Sequence, residues 1–256
     1  MKSFFVFTVL LITLAITNAQ TKMYINKTTG TDSIKLSEIK SISFKTILSD
    51  TVIAYWKLDE LSGNSVSDVS GNSNIGAADT SALIVPGIIG NARTLSIPSN
   101  KQSIIIPHFP KQSIFGNNPF SIECFVKIQE YEYYGLGLIF KSGNYGLYTG
   151  SYGSSGYLQF FIPKDSTNTG FILQSDIQVP KNKWVHIAGT WNGSIAKLYI
   201  DYKLVKSQSY TTPMQGSSNP IIMGQRSLSV TPTSSNTLID EVRISSVELQ
   251  PDSFVK

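Results

Sequence analysis

The chain has 256 residues, 41% of them hydrophobic and only 15% charged, which excludes a disordered or coiled-coil protein. Its formal charge of +4 comes from single, scattered Lys residues, with only three Arg (Arg93, Arg226 and Arg243) among 21 basic residues. A nucleic-acid binder concentrates its basic charge on one stripe, so no nucleic-acid partner is expected.

At the N-terminus, Lys2 precedes an apolar run from Phe4 to Ile16 and then Thr17-Asn18-Ala19. This is the pattern of a signal peptide over 1–19 with a cut after Ala19. The run is shorter than the ~20 apolar residues of a membrane span, and no second such stretch follows. Gln20 rather than Cys follows the cut, which leaves no lipid-attachment site. The expectation is an exported, soluble protein, secreted or held in the periplasm or at the cell surface.

Residues 20–50 alternate over Lys22–Lys27, turn at Thr28–Asp32, and alternate again over Ser33–Leu36 and Ile39–Phe44. They read as a short hairpin and spacer. The segment resembles the one that follows the signal peptide in secreted proteins of Bacteroidetes-like bacteria, which implies a bacterial source. From 51 onwards, strands are predicted near 52–58, 92–97, 102–107, 119–128, 136–141, 144–149, 156–162, 170–175, 182–191, 195–201, 203–209, 219–224 and 236–245. The apolar residues favour Ile, Val, Phe, Tyr and Trp, and 19 Gly supply turns. No stretch shows sustained helical periodicity, so an all-β sandwich or barrel over 51–256 is predicted. The single cysteine, Cys124, lies in the apolar run Phe120–Ile128 and reads as a buried hydrophobe.

Several motifs carry a family resemblance. They are Ala54-Tyr55-Trp56-Lys57-Leu58-Asp59-Glu60, the loop Asp68-Val69-Ser70-Gly71-Asn72-Ser73-Asn74-Ile75-Gly76, and Gly87-Ile88-Ile89-Gly90-Asn91-Ala92. Pro119–Lys127, Lys183–Gly193 with Leu198–Asp201, and Leu238–Ile244 follow in order. Together they resemble the concanavalin A-like, laminin G-like domains. The resemblance implies an antiparallel two-sheet jelly-roll sandwich.

The residue pattern agrees. Over Trp184–Trp191, Val185, Ile187 and Trp191 fall on one face and Trp184, His186 and Ala188 on the other, as in a central strand. His186 then reads as a packed, hydrogen-bonded sheet residue. Asn192-Gly193 predicts a type I′ hairpin turn. At the next turn Asp201 is followed by Tyr202, which is disfavoured at positive φ. Either that turn takes another form or Tyr202 is displayed at its tip.

Retaining glycoside hydrolysis needs two carboxyls about 5 Å apart. The nearest acidic cluster is Glu130-Tyr131-Glu132 with Glu123 upstream, in what reads as a loop, and no third acid follows. A catalytic role is therefore not expected. Tyrosines instead crowd one Gly- and Ser-rich stretch: Tyr131, Tyr133, Tyr134, Tyr145, Tyr148, Tyr152 and Tyr157. Rings with a polar tip suit sugar stacking and protein contact alike. Tyr133, Tyr134 and Tyr152 are the candidate ligand-binding residues.

The resemblance also implies a structural calcium ion, with Asp59, Asp68 and Asp240 as candidate ligands. First and last strands run side by side in such domains, and Ca²⁺ takes six to eight carboxylate and carbonyl oxygens. The alternative is that Asp68 and Asn72 cap their loop and Asp240 pairs with Arg243 or a Lys. The expected function is a non-catalytic module that binds a glycan or glycoprotein. The rivals are a jelly-roll glycoside hydrolase with unrecognised acids and a structural or adhesive protein-binding domain.

Overall fold

In a computed structural model of the chain, the described residues are 22–27, 30–35, 51–95, 103–131, 135–150, 152–163, 170–224 and 237–256. The expected signal peptide, 1–19, lies outside them. Strands β1 (Lys22–Lys27) and β2 (Gly30–Lys35) pair antiparallel, Lys22 opposite Lys35. They belong to one compact unit, Met1–Thr46, and everything below belongs to a second, Ile47–Lys256.

The second unit is a sandwich of two eight-stranded sheets. The first sheet is built from β3 (Val52–Trp56), β6 (Ile84–Pro86), β7 (Asn91–Thr94), β10 (Phe120–Ile128), β15 (Val185–Trp191), β16 (Ile195–Ile200), β17 (Lys203–Ser209) and β20 (Thr237–Ser245). Its order is β17-β16-β15-β10-β20-β7-β6, with β3 also paired to β20. The second sheet holds β4 (Ser65–Val66), β5 (Gly76–Ala78), β8 (Ile104–Ile106), β11 (Gly137–Lys141), β12 (Tyr145–Thr149), β13 (Tyr157–Pro163), β14 (Gly170–Gln178) and β19 (Ile221–Met223). Its order is β14-β13-β12-β11-β19-β8-β5-β4. At the rim, β9 (Phe115–Gly116) pairs with β18 (Met214–Gln215). This is the antiparallel jelly-roll sandwich that the motifs imply.

Inward side chains of both sheets form one core. Phe120 meets Trp191 within its own sheet and Tyr145 and Phe160 from the other, at ring-centroid distances of 6.1, 5.5 and 5.6 Å. Buried indoles still need acceptors, and both find carbonyls: Trp56 Nε1 donates to Asn74 O and Trp191 Nε1 to Tyr210 O. Gly189 in β15 leaves room for Phe160, since a Cβ there would lie 2.7 Å from the ring. Cys124 is fully buried in the core, and burial pushes its thiol well above the ordinary range.

The outer face of the first sheet is buried for a separate reason. The C-terminal segment after β20 lies across it, pinned by Ser121 Oγ to Val247 O and by Leu249 N to Ser121 Oγ. Val255 N donates to Glu123 Oε2. This cover explains why β10 and β15 are buried on both faces, although their outer faces carry Ser121, Glu123, His186 and Thr190.

Both turn expectations need correction. Asn192 has no positive φ; Gly193 alone does, at +90°, so the pattern is that of a type II′ turn, with Gly first. Asn192 Oδ1 instead accepts from the N–H groups of Ser194 and Ile195. Conversely, Asp201 and Tyr202 have φ of +47° and +65°, a two-residue primed turn between β16 and β17. Tyr202 is not displayed: its ring stacks on His186, and its hydroxyl donates to Val255 O. Those contacts offset the steric cost of the left-handed region.

Candidate functional site

The three acids named as candidate metal ligands occupy different settings. Asp68 Oδ1 accepts from the amides of Tyr55 and Ser70, and Oδ2 from Ser70 Oγ and from both the amide and the side chain of Asn74. Burial works against its charge, but these bonds outweigh it and hold the carboxyl below its ordinary range. Asn72 and Asn74 donate on to the carbonyls of Val52 and Ile53, so the Ser-Gly-Asn loop closes on β3. Asp68 therefore has no oxygen left over for a cation.

Asp59 and Asp240 come together on one turn. Asp240 Oδ2 accepts from the amides of Ile88 and Ile89, and Asp59 Oδ1 from that of Asn91. The glycines of this turn are dictated by the two carboxylates. A Cβ on Gly87 would lie 2.4 Å from Asp240 Oδ2, and one on Gly90 would lie 2.1 Å from Asp59 Oδ1. Asp240 is fully buried, its Oδ1 lacks a partner, and burial raises its carboxyl to about 7. Neighbouring Glu241, at φ +52°, also keeps one buried oxygen without a partner while the other accepts from Tyr55 Oη. Among the described residues, no group of three or more His, Cys, Asp and Glu side chains is arranged to hold a metal ion.

Glu123 sits beneath the C-terminal segment. Its Oε1 accepts from Arg243 Nε at 2.6 Å, and its Oε2 faces His186 Nε2 at 2.8 Å as well as Val255 N. With both oxygens engaged and the side chain fully buried, it has no path to a substrate. Glu130 is exposed and pairs with Lys181 at 3.4 Å; Glu132 lies outside the described residues.

Of the clustered tyrosines, Tyr145 and Tyr148 are buried, and Tyr131 bonds Val179 O beneath the Lys181 ammonium. Tyr133, Tyr134 and the side chain of Tyr152 lie outside the described residues.

The most exposed described aromatic is elsewhere, and sequence reading missed it. Pairing of β9 with β18 turns Met214 into the core and leaves Phe115 outward and 53% exposed. One side of its ring rests on Gly216, where a Cβ would lie 2.2 Å away and where φ is +77°. The support is stiff. Buried Asn144 exchanges two hydrogen bonds with the backbone of Ile114, and Ser113 Oγ donates to Ser217 O. Phe115 stands between two clefts. One, of about 450 Å³, is lined by His108, Gln215, Ser217, Ser218 and Asn219. The other, of about 360 Å³, is lined by Asn72, Lys111, Asn118 and Ser246. An open ring flanked by amides and hydroxyls offers an apolar face and directional polar partners together. No alternation marks the stretch Ser113–Asn118, and its partner Met214-Gln215 is remote in sequence, so only the fold reveals the platform.

A sequence model of the concanavalin A-like lectin/glucanases superfamily (Laminin_G_3) matches residues 98–253. No curated protein sequence matches the chain. Among solved structures, the chain is similar to the binding domain of Paraclostridial Mosquitocidal Protein 1, with a TM-score of 0.64 at 16% identity. It is also similar to botulinum neurotoxin type C, in a structure concerned with two ganglioside molecules (TM-score 0.63, 18% identity). A third is the binding domain of botulinum neurotoxin DC in complex with rat synaptotagmin II (TM-score 0.63, 17% identity). Each match covers 79% of this chain and 50% of the other. The chain thus spans about half the length of these toxin domains, and the likeness is one of fold.

Proposed function

Since the chain belongs to the concanavalin A-like lectin/glucanases superfamily, we propose that it is a non-catalytic binding module that recognises carbohydrate or a surface glycoconjugate outside the cytoplasm. The observation that carries this reading is Phe115, an exposed ring on a rigid rung between two clefts that each offer amide and hydroxyl groups. A sugar ring presents a C–H face to such a platform and hydroxyls to the flanking amides. The ganglioside named for the type C toxin structure is consistent with a surface-glycan ligand. Among the described residues no helix is long and apolar enough to cross a membrane.

The acids support binding over hydrolysis. Glu123 is sequestered by Arg243, His186 and Val255, while Asp59 and Asp240 organise a hairpin turn. Calcium belongs to this reading at Asp240, whose buried Oδ1 lacks a partner, with Asp59 nearby on the same turn. Bound there, the ion would supply stability by mass action rather than chemistry. Tyr133, Tyr134 and Tyr152 remain proposed contributors.

A glycan array probed with residues 20–256, alongside a reducing-end release assay on the glycans retained, tests the proposal. Retention without release is the expected result. Release of reducing ends would make the protein a hydrolase, and retention of nothing would remove the carbohydrate reading.

A further inference from the structure

The larger of the two clefts has a feature that a neutral sugar does not require. Lys141 ends β11 with its side chain fully buried, and its ammonium meets two groups, the carbonyl of Asn219 and His108 Nδ1, the latter at 3.2 Å. No carboxylate among the described residues pairs with it. An ammonium carries three donors, so one has no acceptor among the described residues. Because an ammonium can only donate, His108 Nδ1 must accept, which places the imidazole proton on Nε2. His108 and Asn219, the two groups that Lys141 holds, both line the cleft.

The charge balance around Phe115 is one-sided. Neither cleft has an Asp or Glu in its lining, whereas Lys111 borders one and His108, with Lys141 behind it, borders the other. A buried charge with no counter-ion among the described residues is costly, and both groups that Lys141 holds border the cleft. Ser217 and Asn219 are fixed there: Ser217 Oγ and Asn219 Nδ2 both donate to Ser142 O. The loop beside the cleft is therefore held in one arrangement.

We infer that the His108–Asn219 cleft is a subsite for the anionic group, carboxylate or sulfate, of an acidic sugar whose ring rests on Phe115. Lys141 and His108 supply the attraction. The inference rests on the carbohydrate reading above. Burial lowers the Lys141 ammonium to about 8, which supports the assignment: the amine is charged at neutral pH and becomes neutral just above it. Burial and Lys141 also keep His108 below its ordinary value, so it serves as a neutral donor.

The test is calorimetric titration of residues 20–256 with N-acetylneuraminic acid, glucuronic acid, galactose and inorganic sulfate at pH 6.5 and pH 9. Lys141→Met, Lys141→Arg and His108→Gln follow, each first checked by thermal melt. The expected result is at least tenfold tighter binding of one acidic sugar than of galactose at pH 6.5. That preference should vanish in Lys141→Met and shrink at pH 9. If Lys141→Met fails to fold, His108→Gln, together with amide shifts of Ser217–Asn219 on addition of the acidic sugar, decides the same point. Equal affinity for acidic and neutral sugars would overturn the subsite and leave the carbohydrate reading standing. Binding of inorganic sulfate with no affinity for any sugar would overturn both. An acidic-sugar preference unchanged in both Lys141→Met and His108→Gln would place the anion elsewhere and also overturn the subsite.

Discussion

Tyr202 lies flat on His186, with ring centroids 4.6 Å apart and planes 4° from parallel. Phe125 and Phe254 flank the same imidazole at 5.2 and 5.1 Å, and Glu123 receives it from below. A tyrosine in the left-handed region is tolerated because this stack and the bond to Val255 O hold it there. Tyr202→Phe should cost about 1 kcal/mol through the lost hydrogen bond. Replacing Asp201-Tyr202 by Asn-Gly, the easier turn, should still destabilise, by about 1–2 kcal/mol, as the aromatic contact is lost. Urea unfolding measures both, and a stabilised Asn-Gly variant would show the stack to be incidental.

The Gly87–Asn91 turn is held by two carboxylates at distances that admit no methyl group. Gly90→Ala meets both a positive φ and Asp59, and should cost about 2–3 kcal/mol. Gly63→Ala is the control, since its φ is also positive (+78°) but nothing lies within 4 Å of its Cβ. It should cost about 1 kcal/mol. Equal losses at the two glycines in thermal melts would mean that Asp59 does not crowd the turn.

Asp240 is raised to about 7 by burial, above its ordinary value of 3.8. Between those values the folded state binds a proton that the unfolded state lacks. This contribution to stability is thus complete below about pH 4 and is lost as pH rises through about 7. Asp240→Asn should flatten that part of the stability–pH curve. In millimolar CaCl₂ the wild type should gain in melting temperature near pH 7.5, EDTA should reverse the gain, and Asp240→Asn should show none. A gain that persists in Asp240→Asn would remove calcium from this turn.

Lys141 gives the opposite slope at higher pH. Its value of about 8 lies below the ordinary 10.5, so between the two the unfolded chain holds a proton that the folded state has released. Stability should therefore rise with pH across that window, and Lys141→Met should abolish the rise. A flat wild-type profile from pH 8 to 10 would show that the amine is not desolvated as described.

What the sequence disclosed was whatever is local or periodic. Face-by-face alternation exposed β15, a continuous apolar run marked β10, and the Asp-x-Ser-Gly-Asn and Gly-x-x-Gly-Asn motifs marked loops whose hydrogen bonds are made largely with adjoining strands. The two- and three-residue strands β4, β5, β6, β9 and β18 carry too few positions to show a period, and they went unread. Turn chemistry misled in both directions: Asn192 caps with its side chain, and Tyr202 is stabilised by His186, a residue no local rule connects to it. Phe115 and Lys141 escaped notice because their settings depend on Gln215, Gly216 and Asn219, which only the folded chain brings near.

Tyr133, Tyr134 and Tyr152 offer a rival location for the ligand. Alanine at each should lower glycan affinity less than alanine at Phe115 does, with melting temperatures nearly unchanged. A larger loss at any of the three would move the ligand to the tyrosine-rich stretch.

The most direct measurement is the affinity of wild type and Phe115→Ala for the best ligand from the glycan array. Phe115 is outward-facing, so the variant should melt within a degree or two of the wild type. The account expects affinity to fall at least about tenfold, or ~1.4 kcal/mol, with the melting temperature preserved. An unchanged affinity in a folded Phe115→Ala protein would contradict it.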